Sequence, residues 1–259
     1  MKTSALALGV AIFSGSALAA DLPVRTYSKA PATNEPTASW TGFYVFGGFG
    51  GGLWDAKDSL VTSAGVPLQR DETTGGHGWY GTVGAGYDWQ FNNSWVAGIF
   101  ADGQFGSIQG SIVDQGFNFE GRETLRNSWA AGVRLGYLVA PNVYSYVNTG
   151  YTGSQWSGAA LTTLSSLGGP LVETTPSFTR NGWFFGGGVE NNLNVFGISA
   201  PGVFMKTEYR AAYFDRIVLP ETLGGVTLNS ITFKPVVQTV SSSLVYRFNW
   251  TGAPVVAKY

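Results

Sequence analysis

Few residues in this chain of 259 are equipped for chemistry: it has one histidine, no cysteine, and charged residues at only 12%. The histidine, His77, could act as general base beside a serine, as in an acyl hydrolase. The spacing supplies no such serine, because the same-face neighbours on its strand are Trp79 and Gly81 and Ser128 falls on the other face. Gly47 to Gly52 has the glycine content of a phosphate-cradling loop, but neither a Lys-Ser/Thr pair nor a helix follows it. Asp55, Asp58, Asp71 and Glu72 lack EF-hand spacing, and a chain without cysteine and with one histidine is a poor prospect for a transition-metal site. No cofactor is expected. A formal net charge of −1 also argues against nucleic acid as a partner.

One set of charges does recur in a pattern. Asp88, Asp102, Glu190 and Glu208 are four acids, and Arg134, Lys206, Arg210 and Arg247 are four bases. Each stands at an even or odd position opposite to a row of aromatic residues. Such a set can neutralise itself in a closed interior, or it can line a narrow water-filled pore and set its ion preference.

The elements that would carry these charges are strands. On the segment from His77 to Phe91 one face reads His77, Trp79, Gly81, Val83, Ala85, Tyr87, Trp89 and Phe91. The other reads Gly78, Tyr80, Thr82, Gly84, Gly86, Asp88 and Gln90, small and polar for the most part. A period of two sends these rows to opposite faces of a sheet. An apolar row with aromatics toward both ends is what a lipid-facing strand shows. The same arithmetic over the chain gives eight strands near 40–54, 76–91, 95–107, 127–139, 143–156, 179–194, 202–214 and 237–248. The aromatic girdle expected on their outer faces comprises Trp79, Tyr87, Trp89, Trp95, Trp129, Tyr137, Trp183, Tyr209, Tyr246 and Phe248. Tyr146 and Asn148 are expected to point inward, and 40–54 is apolar on both faces.

The connections alternate. Segments 55–75, 108–126, 157–178 and 215–236 read as long polar loops, whereas Asn92-Asn93-Ser94, Ala140-Pro141-Asn142 and 195–201 read as shorter turns. Long loops on one side and tight turns on the other suit an outer-membrane barrel. A soluble lipocalin-type barrel would put aromatics inside and charges outside. Residues 1–20 have the charged start, short apolar run and Ala17-Leu18-Ala19 pattern of a secretory signal, and 21–39 reads as a flexible periplasmic tail. The barrel is placed at 40–248 and a C-terminal tail at 249–259. No later stretch is apolar enough for a spanning helix, so a membrane form must be a closed barrel whose backbone bonds are satisfied internally.

Trp40-Thr41-Gly42-Phe43-Tyr44-Val45, Gly186-Gly187-Gly188-Val189-Glu190, Lys206-Thr207-Glu208-Tyr209, Leu244-Val245-Tyr246-Arg247-Phe248 and the early Ala20-Asp21-Leu22-Pro23 carry a resemblance. The mature chain resembles the small outer-membrane proteins of alpha-proteobacteria, the RopB or outer-membrane immunogenic protein family, often labelled porin-like. The resemblance implies an eight-stranded antiparallel transmembrane β-barrel of the OmpA-type fold in the outer membrane of a Gram-negative bacterium. It implies a role in the cell envelope and surface loops seen by a host. Outer-membrane lipid and lipopolysaccharide, the barrel-assembly machinery, and host or envelope partners at the loops are the expected partners. Such barrels are recognised for insertion by a terminal aromatic, and Phe248 and Tyr259 are the two candidates here.

An eight-stranded barrel is just wide enough for its own side chains. The preferred expectation is a lumen closed by the paired charges, with a structural and antigenic role. Inner glycines (Gly84, Gly86, Gly132, Gly136, Gly186, Gly188) keep a small-solute porin or narrow ion channel as the alternative, and a lipid-modifying enzyme is the minor one.

Overall fold

The computed structural model describes residues 39–62, 66–68, 72–114, 119–163 and 171–248. The proposed signal peptide and both proposed tails, Ser39 apart and Tyr259 included, lie outside the described residues. In chain order the strands are β1 (Gly42–Val61), β2 (Glu72–Phe91), β3 (Trp95–Asp114), β4 (Phe119–Ala140) and β5 (Val143–Trp156). They continue with β6 (Ala160–Thr163), β7 (Leu171–Thr174), β8 (Phe178–Asn192), β9 (Val203–Phe214), β10 (Ile217–Leu223) and β11 (Val226–Arg247).

Eight of these close a ring in the order β1-β2-β3-β4-β5-β8-β9-β11, with β11 pairing back onto β1 from Tyr44↔Arg247 to Val61↔Ser230. Every pairing is antiparallel. Closure leaves no unpaired edge and so satisfies the backbone without water. Tight turns sit at one end. Asn92 and Asn93 take φ of 49° and 61°, the left-handed region that asparagine tolerates and that a short hairpin needs. Between β8 and β9 a short 3-10 helix, Leu193–Phe196, is capped at its start by the Asn192 side chain and at its end by Gly197 at φ 76°.

The other end differs from the sequence expectation. The segments read as long loops are largely strand. β1 and β2 run 20 residues each, and β4 and β11 run 22. Above β5, β8 and β9 the ring is continued by β6, β7 and β10. β6 pairs with β4 at Phe119↔Thr163 and Glu120↔Thr162, β7 meets β10 at Thr222↔Thr174, and β10 lies on β11. A second loop-side ring, β1-β2-β3-β4-β6-β7-β10-β11, therefore stands on the first. The polar composition that suggested loops arises because the outer faces of these extensions carry Lys57, Arg122, Arg126 and Lys234, all exposed. An outer face no longer apolar loses the alternation that marks a strand. Trp40, placed at the start of a strand by the sequence, is outside it. It is buried at the turn-side mouth, where its backbone N–H donates to Gln90 Oε1 at 2.8 Å.

Candidate functional site: the filled interior and the outer wall

The inward row is set by parity. On β1 Tyr44 and Phe46 are buried while Phe43, Val45 and Phe49 are exposed, and on β11 Val245 and Arg247 are buried between exposed Leu244, Tyr246 and Phe248. All eight charges singled out by the sequence lie on the inner face and are buried. They form two groups.

Nearest the turns, Arg134 Nη2 lies 2.5 Å from Asp88 Oδ2 and Arg134 Nη1 lies 3.3 Å from Glu190 Oε2. Arg247 Nη2 lies 2.8 Å from the same Asp88 oxygen, and its Nε lies 2.7 Å from Glu190 Oε1. The four groups alternate in sign around a closed cycle, so each charge touches two of the opposite kind. Deeper in, Arg210 Nη2 bridges Asp102 Oδ2 at 2.7 Å and Glu208 Oε1 at 2.8 Å, and Lys206 Nζ is 3.7 Å from Glu208 Oε2. That group is an open chain, and neutral partners complete it. The Tyr146 hydroxyl donates to Glu208 at 2.7 Å and Asn148 Nδ2 donates to it at 2.9 Å. Both groups sum to zero, the condition under which charge can stay in a low-dielectric interior.

Between the charges lie aromatic rings. Arg134 stacks over Tyr44 at 4.3 Å, Arg247 over Trp40 at 4.4 Å, Lys206 over Phe46 at 3.4 Å and Arg210 over Phe184 at 4.6 Å. Such contacts add attraction where water is excluded. Tyr80 and Tyr146, placed on the inner face by alternation, point in, and the expectation that this face is otherwise small and polar is corrected by Tyr44, Phe46, Phe100, Tyr144, Phe184 and Phe204, which also point in. What admits them is glycine directly across the ladder: Tyr44 opposes Gly86, Phe46 opposes Gly84, and Tyr146 opposes Gly136 and Gly188. A β-carbon at Gly84 would run into the Phe46 ring, and one at Gly188 into Tyr146. The inner glycines are space taken by a neighbour's ring. The signal was present in the sequence as aromatic and glycine rows on adjacent strands, but reading it requires the register.

The loop-side ring is filled differently. Trp54, Trp156, Phe178 and Phe233 pack with ring centroids 5.3 to 5.9 Å apart, joined by Ile108, Ile112, Leu125, Leu161, Leu219 and Ile231. Sequence reasoning missed this plug because Phe178 and Phe233 fell in presumed loops. Four carboxyl side chains, Asp58, Glu123, Glu173 and Glu221, are buried in the same ring. Asp58 accepts a short hydrogen bond from the Thr74 hydroxyl, and burial pushes its pKa up to about 7, against that bond and with help from nearby Glu72. Glu123 accepts from the Thr124 N–H at 3.2 Å and the Ser157 hydroxyl at 3.5 Å, and burial pushes it up to about 8, with Asp58 adding to the rise. Among the described residues no three His, Cys, Asp or Glu side chains converge as a metal site.

On the outer wall the ten expected girdle residues all face out, nine of them exposed and Tyr87 half-buried between Phe43 and Trp89. All but Tyr209 form two levels. Tyr87, Trp89, Trp95, Tyr137, Tyr246 and Phe248 lie toward the turns, with Trp95 on Tyr137 at 5.5 Å. Trp79, Trp129 and Trp183 lie toward the loop side, Trp129 beside Tyr151 at 5.9 Å and Trp183 stacked on Tyr213 at 4.6 Å. Tyr209 belongs to neither level: it stands mid-strand opposite Val240, its hydroxyl donating to Gln238 Oε1 at 2.8 Å. Between the levels the outward residues are mostly aliphatic, Val83, Ile99, Val133, Leu135, Val147 and Val240 among them. Trp79 and Trp89 are about ten residues apart, roughly 33 Å of strand at 3.3 Å per residue. Tilted by about 40°, that spans roughly 25 Å, the height of an outer-membrane apolar band. His77 is exposed on this wall just past Trp79, and among the described residues it makes no hydrogen bond to a serine or carboxylate. The Ser128 hydroxyl is engaged elsewhere, donating to Gln104 Oε1 at 3.1 Å.

No family model matches the chain. Over 207 residues it is 32% identical to the 31 kDa outer-membrane immunogenic protein of Brucella melitensis biotype 1, covering 75% of this chain and 82% of the relative. The protein of the same name from Brucella suis biovar 1 matches to the same extent. Among solved structures the fold is similar to the outer membrane protein OprG from Pseudomonas aeruginosa, with a TM-score of 0.54 at 9% identity over 80% of this chain and 97% of that one. A closed antiparallel ring of eight strands, banded outside and sharing a third of its residues with the Brucella proteins over most of their length, identifies the chain as a member of the outer-membrane immunogenic protein family, a β-barrel of the Gram-negative outer membrane.

Proposed function

We propose that the barrel is a closed structural element of the outer membrane, with a non-catalytic role in envelope integrity. In this reading the loop-side ring is displayed at the cell surface, where it is seen as an antigen. The observation that carries it is the filled interior: two neutral charge groups stacked with aromatic rings, beneath an apolar plug of Trp54, Trp156, Phe178 and Phe233. A conducting lumen would need a continuous wet path, and rings on guanidinium groups leave charges no water to hand an ion to. The relatives' name, immunogenic protein, supports surface display.

The aromatic levels are read as interfacial girdles with hydrocarbon between them. Turns and termini then face the periplasm, residues 1–20 are removed on export, and 21–39 and 249–259 are tails. Lipid and lipopolysaccharide surround the wall, the barrel-assembly machinery inserts it, and host or envelope partners meet the loop side. His77, with no hydrogen-bonded serine or carboxylate, supports the non-catalytic reading.

Deleting the protein should sensitise cells to bile-type detergents. Re-expression should restore resistance without speeding uptake of small hydrophilic solutes, and antibodies to the loop side should label intact cells. Uptake that rises with expression would overturn the closed reading in favour of a porin.

A further inference from the structure

A groove of about 370 Å³ opens between β2, β3 and β4, lined by Gly75, Gly76, His77, Gln109, Gly110, Ser111 and Arg122. His77 and Gln109 are exposed on the outer wall and oppose each other in register, as do Ser111 and Arg122. Three glycines leave the floor bare, and Gly76 and Gly110 are direct cross-strand partners. The volume falls within the range of small-ligand sites. The lining is all donors or neutral groups: a guanidinium, an imidazole, an amide and a hydroxyl, with no carboxylate among them. Two acids stand at its edge: Glu120 accepts the Ser111 hydroxyl at 2.8 Å, and Asp55 on β1 opposes Gly75 in register.

Position narrows the ligand. His77 is two residues past Trp79 on the same face, so the groove begins where the loop-side girdle ends. At that height the neighbours are lipid headgroups of the outer leaflet, and a guanidinium pairs with phosphate in a fork geometry.

We propose that this groove is a binding site for the phosphorylated headgroup of an outer-leaflet glycolipid, with Arg122 and His77 holding the phosphoryl group and Gln109 and Ser111 meeting the sugar. The glycine floor lets the sugar lie against the backbone, as a side chain at Gly75, which shares the outer face with His77, would not. The proposal rests on the reading that the aromatic levels lie in lipid.

The test uses the refolded barrel in nanodiscs of phosphatidylcholine doped with diphosphoryl lipid A or with its dephosphorylated form, and native mass spectrometry counts retained glycolipid. Wild type should retain the diphosphoryl form at least tenfold better than the dephosphorylated one. His77→Ala with Arg122→Ala should lose that preference, Arg122→Lys should keep part of it, and Lys57→Ala should keep all of it. Both changed residues are exposed, and heat-modified gel mobility confirms that each variant is folded. Equal retention of both glycolipids, or unchanged retention by the double variant, would overturn the assignment. Displacement by millimolar inorganic phosphate would also overturn it, in favour of a free-anion site. Quenching of the girdle tryptophans by brominated acyl chains, read on the same discs, reports separately on whether those rows lie in lipid.

Discussion

The two stacked rings of this barrel use the same number of strands and opposite strategies for filling them. In the turn-side ring the ladders are long, the wall is apolar, and the interior holds eight charges neutralised in place among aromatic rings. In the loop-side ring the wall is charged, the interior is an aromatic plug, and β7 meets β10 at a single pair, Thr222↔Thr174. The difference follows from the surroundings. In the proposed reading, hydrocarbon outside leaves the charges for the inside, where they must satisfy one another among the aromatic rings. Water outside restores the ordinary arrangement of an apolar core.

The sharpest way to break this contrast is to unbalance the closed cycle. Arg134→Met leaves Asp88 and Glu190 sharing only Arg247, and removing one partner from a buried ion pair costs ~3–5 kcal/mol. Urea unfolding in micelles, followed by tryptophan fluorescence, should show that loss. Lys206→Met should cost less, because Glu208 keeps Arg210, Tyr146 and Asn148. Equal losses would mean that the cycle has no advantage over the chain.

Next comes the wall. Val133→Arg places a charge midway between the aromatic levels and should cost ~2–4 kcal/mol, seen as a lower folded fraction on unheated gels. Normal folding of this variant and of Val83→Arg would show that the outward rows do not meet hydrocarbon.

The loop-side ring should answer to pH where the other does not. Asp58 and Glu123 have folded pKa values raised to about 7 and about 8 from 3.8 and 4.5. A raised carboxyl stabilises fully below its unfolded value, and that stabilisation is lost as pH rises through the folded one. Protection of β6, β7 and β10 against hydrogen exchange, corrected for the intrinsic pH dependence of exchange, should therefore fall between about pH 4 and pH 8, by up to ~4 kcal/mol per carboxyl for a shift of about 3 pKa units at about 1.4 kcal/mol each. Asp58→Asn with Glu123→Gln should flatten the change. A pH effect shared equally by both rings would contradict their independence. Smallest of all, Lys57→Ala on the watered wall should shift stability by less than ~0.5 kcal/mol.

How much of this was legible in the sequence divides along the same line. Where one face is apolar, alternation is clean, and the strand read at 202–214 is Val203–Phe214 while the eight inward charges could be named. Beyond the girdle the outer face holds Lys57, Arg122 and Lys234, the contrast between faces vanishes, and strands read as loops. Tyr80 and Tyr146 could be placed inward by alternation, but the room that the inward aromatics need was hidden. Tyr44, Phe46 and Tyr146 fit only because glycine faces them across the ladder, and that pairing is set by register, which no single strand contains. The glycine-floored groove likewise draws on three strands at once.

The claim on which the rest depends is that charge cycle, charge chain and plug leave no wet path through the lumen. Planar-bilayer recording of the purified, refolded barrel tests it directly. The account predicts a silent bilayer at physiological salt, whereas regular unitary steps, shifted in ion preference by Arg210→Met, would contradict it.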